Sequence, residues 1–378
     1  MTIKRAVFLW FLFFLVCLGL GYPTLNRYDP RKLPYAAVDG SIYYNIVVGN
    51  PSPPAVYDQA HRVNTQVLAA ENYYRLLVPC VAKPFYWLAR SHVGTWDPAL
   101  FGLLAANSLF IALAAVLLVD TGYRVLNDYP VALLGAALFL LSFAVANLDL
   151  AGFVDSAEAC FMMVVVWTLY TGRWPLLPLW GIPGALAKET FAPLAGLFAL
   201  GWWLMEARQS TRSFTRLAWV LAMGVTSMAT VTLAMSYVSG GLVWPWQFAA
   251  SMGAERLLGF GYLLAFLRCL TDRTFWYVFV WLLPLGLLRL NRLPRPWVVA
   301  SALAFGAALA MGAYNDARGS TARALFNVAG PILSLSVAAL LTEPKRQPAS
   351  QACGWGFRRN GAAPRKSASD GKSTQATM

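Results

Sequence analysis

Charge is scarce in this chain. Only 12% of its 378 residues are Asp, Glu, Lys or Arg, two are histidine, and 58% are hydrophobic. A soluble globular domain carries more polar surface than this, so the composition points to an all-α, polytopic membrane protein. The five cysteines, Cys17, Cys80, Cys160, Cys269 and Cys353, are scattered, with no CxxC or Cys/His spacing. They read as small core residues, which argues against a zinc ribbon or a disulfide framework. A Walker loop, a GxGxxG turn, GxSxG and HExxH are also missing, leaving ATP-driven transport and serine or zinc hydrolysis without support. No repeat of useful length and no inverted-repeat signal of the transporter kind is visible.

What the chain does have is apolar runs. Ten stretches read as spans: residues 6–22, 100–119, 131–147, 156–170, 175–187, 191–205, 217–238, 275–290, 297–313 and 324–341. The first, preceded by Lys4 and Arg5, has no small-x-small site after it and reads as an uncleaved helix. The fifth and sixth are short and also fit one bent or re-entrant element. Residues 1–343 are thus expected to form a transmembrane domain. Residues 344–378, rich in Pro, Ser, Gly, Lys and Arg, are expected to form a disordered cytoplasmic tail.

Threading these spans through a bilayer gives an independent check. The segments placed inside hold 17 of the 30 basic residues but only five of the 17 acids, leaving 13 and 12 outside. A one-sided basic excess is what the positive-inside rule requires, so both termini are expected in the cytoplasm. The net charge of +13 is thereby a topology signal, and no nucleic-acid partner is read into it. Nothing in the sequence sets an oligomeric state.

Two long outside segments result, 22–97 and 239–274. The second, with Trp244-Pro245-Trp246 followed by a mixed pattern over 248–270, reads as an amphipathic helix on the membrane surface. The first holds both histidines, five carboxylates and seven basic residues, so water-side chemistry is expected there.

Within it, Asp39 is a candidate general base: a carboxylate beside an apolar wall is partly desolvated and its pKa rises. Its alternative role is the N-cap of a helix beginning near Ser41. Arg75, read as lying on a helix at the outer interface, can grip phosphate by paired hydrogen bonds or snorkel to lipid headgroups. Lys188 and Glu189 occupy a tight outside turn, where ionisable groups close to hydrocarbon tend to be functional. Arg318 and Arg323 precede the last span; two outside arginines call for a partner, either a lipid-linked phosphate or an acid such as Asp316 or Glu189. Asp149, Asp155 and Glu158 flank another short turn. With Asp39, His61 and His92 they are donors suited to a divalent cation, but no ligand spacing joins them, and no metal or cofactor is assigned.

Several of these pieces together resemble the GT-C superfamily of integral-membrane glycosyltransferases. They are the first helix followed by a large outside loop with an early acid, the stretch Tyr74-Arg75-Leu76-Leu77-Val78-Pro79, the turn Ala187-Lys188-Glu189-Thr190, and Ala322-Arg323-Ala324-Leu325 entering a helix that contains Pro331. The likeness is nearest to the bacterial protein-mannosyltransferase and lipid A sugar-transferase branches. It implies a GT-C-like fold in the bacterial inner membrane and transfer of a sugar from a polyprenyl-phosphate donor to an extracytoplasmic acceptor. Asp39 would be the base. Arg75, Lys188, Arg318 and Arg323 would hold the donor phosphate, with Asp155 and Glu189 as auxiliary acids; the lipid-linked donor and membrane lipids are the implied partners. Where many members carry a second acid beside the first, this chain has Gly40. The rival expectations are a non-catalytic lipid-linked sugar flippase or polymerase, and a small-anion transporter. A transporter would show broken helices and polar groups at mid-membrane, whereas the polar residues are expected at the outer edge.

Overall fold

Aspartates, prolines and one asparagine punctuate the apolar runs and set where the helices start and stop. In a computed structural model the described residues are 1–27, 40–49, 74–91, 96–150, 153–207, 213–245, 260–315 and 318–341. Asp39, Asp316, both histidines, the 246–259 part of the second long segment and the C-terminal tail lie outside them.

The chain is helical, with no strand among the described residues. The order is α1 (Ile3–Arg27), α2 (Gly40–Val48), α3 (Leu77–Ala89), α4 (Pro98–Leu126) and α5 (Tyr129–Leu140). After a π-helical turn (Val145–Asp149) come α6 (Asp155–Tyr170), α7 (Leu177–Ala187), α8 (Phe191–Ala207) and α9 (Ser213–Ser239). The last are α10 (Phe260–Thr271), α11 (Arg273–Phe279), α12 (Leu282–Leu287), α13 (Arg295–Tyr314) and α14 (Arg318–Ala338).

Local chemistry explains several boundaries. Asp97 accepts from the Ala99 and Leu100 amides at 2.8 and 3.2 Å, with Pro98 pre-set in the first turn, so α4 starts there. It stops at Asn127, which takes the left-handed conformation at φ 53°, and Asp128 then caps α5. Helix α6 closes with the Gly172 amide on the Leu169 carbonyl and the Arg173 amide on the Thr168 carbonyl. That double bond pattern needs a left-handed residue, which Gly172 supplies at φ 71°.

Among the described residues, five helices are long and apolar enough to cross a membrane: Ile3–Pro23, Pro98–Leu126, Phe214–Ser239, Arg295–Tyr314 and Gly319–Leu341. The apolar windows of α4 and α14 are 78% and 83% buried, against 22% for α1 and α9, so α4 and α14 form the core and α1 and α9 the periphery. The outer faces of the peripheral pair present Phe8, Phe11 and Leu15, and Leu221, Val225 and Leu233, as lipid-facing helices do. Packing relies on small residues, because apolar surface alone does not favour helix over lipid. Gly181 of α7 meets Ser227 and Thr226 of α9 so closely that a Cβ there would sit 2.7 Å from both hydroxyls. The same two hydroxyls donate to the Gly181 and Pro178 carbonyls.

Two expected spans are broken. The run 131–147 is helical only to Leu140 and then enters the π-helical turn. The run 275–290 divides into α11, α12 and a 3-10 turn. Pro284 accounts for the second break: it has no N–H to give and its ring crowds the carbonyl of Val280, where the helix parts. The amphipathic pattern over 248–270 is helical from Phe260. There it buries Ala265 and Cys269 and exposes Leu263, Leu264, Leu267 and Arg268.

Candidate functional site

Polar side chains gather at the two ends of the bundle. At one end the Met1 ammonium lies 3.1 Å from Asp120 Oδ1, while Arg124 Nε and Trp167 Nε1 donate to Asp120 Oδ2 at 2.8 and 3.0 Å. Arg216 Nη1 meets Glu206 Oε2 at 2.6 Å, and Arg173 and Arg216 stack over Trp167 and Trp174. These residues belong to the segments expected inside from their basic excess. The opposite end holds the cluster of interest.

Six stretches distant in sequence converge there. Lys188, at the end of α7, places Nζ 2.6 Å from Asp155 Oδ1 and 3.5 Å from Glu158 Oε2. Arg323 Nη1, from α14, reaches Asp155 Oδ2 at 2.8 Å. Asn327 Nδ2 donates to Glu158 Oε2 at 2.8 Å, and the Thr190 hydroxyl donates to Glu158 Oε1. Alongside, Arg75 grips Glu189 with a paired fork, Nε to Oε2 at 2.8 Å, and Nη1 donates to the Tyr43 hydroxyl at 2.9 Å. Asp155, Glu158 and Lys188 are all buried. Asn107, buried in α4, ties the floor: Nδ2 donates to the Phe153 carbonyl, and its Oδ1 accepts from Ser156.

The helix phases explain the convergence. Asp155 and Glu158 are three apart, Arg323 and Asn327 four apart, so each pair shares a helix face. Helices α6, α7 and α8 have 16, 11 and 17 residues and bring their ends to the cluster. Because α6 starts level with Asn107, the cluster sits about 15 Å along α4 from its Asp97 cap. The polar groups thus gather where three helices end, beside the middle of the longest one.

The charges hold one another. Burial would raise the Asp155 carboxyl, but Arg323 and Lys188 outweigh it and keep it below the usual carboxylate range. Burial would lower the Lys188 ammonium; Asp155 and Glu158 more than offset this and raise it. Glu189 follows Asp155, with Arg75 overcoming burial to lower it. Three cations (Arg75, Lys188, Arg323) face three carboxylates (Asp155, Glu158, Glu189), a balanced set. Asp149 lies outside the balance: burial and the nearby Asp155 push its carboxyl well above the usual range, and Arg323 and Lys188 pull back too little.

Of the residues singled out in the sequence, Arg75, Lys188, Arg323, Asp155 and Glu189 therefore come together. Arg75 stands two residues before α3 rather than on a helix. Arg323 pairs with Asp155, not with Glu189. Arg318 is the first residue of α14, and Asp39 lies outside the described residues, as does its N-cap alternative. Among the described residues no three His, Cys, Asp or Glu side chains are placed to hold a metal ion. The sequence reading did not single out Tyr43 and Asn327 or pair Thr190 with Glu158. The signal for Asn327 was its spacing of four from Arg323; Tyr43 and Thr190 carry none beyond standing in the quoted stretches. No protein-family model matches the chain, and no curated protein or solved structure matches it.

Proposed function

We propose that the protein is a membrane glycosyltransferase of GT-C type that moves a sugar from a polyprenyl-phosphate donor to an acceptor outside the cytoplasm. In this reading the chain makes about ten spans in a bacterial inner membrane, with both termini cytoplasmic. The observation that supports it is the convergence of Arg75, Lys188 and Arg323 with Asp155 and Glu189 in one buried cluster at the end away from the basic loops. Buried ionisable groups among membrane helices are costly and mark functional sites.

The chemistry follows from what each group can hold. The donor's bond between the sugar's anomeric carbon and the phosphate oxygen breaks, leaving added negative charge on the lipid phosphate. Arg323 and Lys188 stabilise that charge, and Arg318 on the same helix joins them. The acceptor oxygen forms the new bond to that carbon, and its proton passes to the Asp39 carboxylate. Asp155 and Glu189 orient the cations.

One observation favours a second reading, transport of a small anion. The helices at the cluster are short or interrupted and their ends converge on the charges, as in transporter binding sites. The experiment that separates the two uses purified protein in vesicles. Transfer of labelled sugar from a polyprenyl-phosphate donor to a soluble hydroxyl acceptor is expected. Accumulation of a small phosphorylated solute without any transfer would establish the transporter instead.

A further inference from the structure

Asp149 has no role in the chemistry above. It is 1% exposed, and neither carboxyl oxygen has a hydrogen-bond partner. The other acids described in the cluster are tied: buried Asp155 to Lys188 and Arg323, buried Glu158 to Thr190 and Asn327, and partly exposed Glu189 to Arg75. Asp149 closes the π-helical turn Val145–Asp149, which packs against α1, α4, α5 and α6. Widened turns of this kind recur at functional positions.

Its surroundings define its state. The charges of Asp155 and Glu158 on α6, Lys188 at the turn between α7 and α8, and Arg323 on α14 act on it without touching it, and its own charge acts on Cys17 of α1. Helix α5 carries no charged residue, and those of α4, Asp120 and Arg124, are at its far end. Among the described residues the three cations of the cluster are already matched by three carboxylates, and none of them pairs with Asp149. An unbonded buried carboxyl in such a place gives up its charge.

We propose that Asp149 is a phosphate-contacting residue of the cluster, resting as the neutral acid and donating its one O–H to a phosphate oxygen of the ligand. The proposal rests on the lipid-phosphate reading above. A carboxylate can only accept hydrogen bonds and repels phosphate, whereas the acid has a proton to donate. An entering phosphate also adds negative charge to a balanced set, and a neutral Asp149 keeps that addition as small as it can be. Binding therefore requires the proton and weakens as pH rises through the raised pKa of Asp149.

The test measures binding of a polyprenyl monophosphate, and separately of inorganic phosphate, to the full chain in detergent across the pH range where it stays folded. Asp149→Asn keeps an N–H donor and cannot titrate. It should bind like wild type at the acid end and lack the wild-type decline beyond the phosphate's own titration. Asp149→Ala should bind about ten- to a hundredfold more weakly at the acid end. Infrared spectra should show the carbonyl stretch of a protonated carboxyl in wild type that Asp149→Asn removes, a readout independent of any ligand. Dependence of inorganic phosphate binding on Asp149, with no polyprenyl preference, would support the contact and assign its source as free phosphate. A wild type that binds while Asp149→Ala binds equally well overturns this inference and leaves the lipid-phosphate reading standing, as does an unchanged carbonyl band in Asp149→Asn. A wild type that binds neither probe overturns both.

Discussion

Lys188 Nζ and Asp155 Oδ1 lie 2.6 Å apart, joining the turn between α7 and α8 to the first residue of α6 across 33 residues of chain. Arg323 closes on the other oxygen of the same carboxylate from 168 residues away. One carboxylate thus fixes the relative positions of three helices.

The first prediction concerns stability. Removing one partner leaves a buried charge unmatched, so Lys188→Ala and Asp155→Ala should each cost about 3–5 kcal/mol. The double variant Lys188→Met/Asp155→Leu should recover part of that loss, because it removes both charges. Denaturation of the purified variants in detergent checks this. Single variants within about 1 kcal/mol of wild type would show that the pair does not tie the helices together.

The second concerns phosphate. Arg323→Lys keeps the charge and loses the planar fork, so it should remain folded and bind polyprenyl phosphate more weakly, by about 1.5–3 kcal/mol for a charged hydrogen bond lost. Arg318→Ala should weaken binding to a similar degree with little effect on stability. Folded variants that bind as tightly as wild type would remove these arginines from the donor site.

The third concerns pH. Asp155 and Glu189 have carboxyls held below their ordinary values, so the unfolded chain takes up their protons first as pH falls. Their contribution is present above the unfolded-state values, near pH 4, and is lost as pH drops through the folded-state values. Glu189→Gln should therefore lower stability at neutral pH and show a flatter decline below about pH 4 than wild type. A decline as steep as that of wild type would contradict the assignment.

How much of this could be read from the sequence depends on the kind of signal. Apolar length placed α6 at 156–170 and α8 at 191–205, within two residues of the observed bounds, because a helix among apolar neighbours is set by where its apolar run ends. The runs 131–147 and 275–290 misled for the same reason: hydropathy registers neither a widened turn nor the carbonyl crowding caused by Pro284. Arg75, Lys188 and Arg323 were legible as charges out of place. Their partners were not, since which acid meets which cation is decided by helix phase and depth, as the spacing of Asp155 from Glu158 and of Arg323 from Asn327 shows.

The fourth prediction concerns sidedness. The Met1–Asp120 end should face the cytoplasm and the Lys188–Asp155 end the outside, because the basic excess lies with the former. In a cysteine-free background, a cysteine at Ser52 should react with a membrane-impermeant reagent in intact cells. Reaction only after lysis would invert the topology.

The central claim is sugar transfer with Asp39 as base. Asp39→Asn keeps the size of the side chain and any N-cap role, since Asn caps a helix as well as Asp, but it cannot take the acceptor's proton. The measurement is the rate of sugar transfer from a polyprenyl-phosphate donor by purified wild type and Asp39→Asn, with thermal stability followed in parallel. The account predicts a variant as stable as wild type and slower by about 100- to 10,000-fold. An equally stable variant that transfers sugar at the wild-type rate would contradict it.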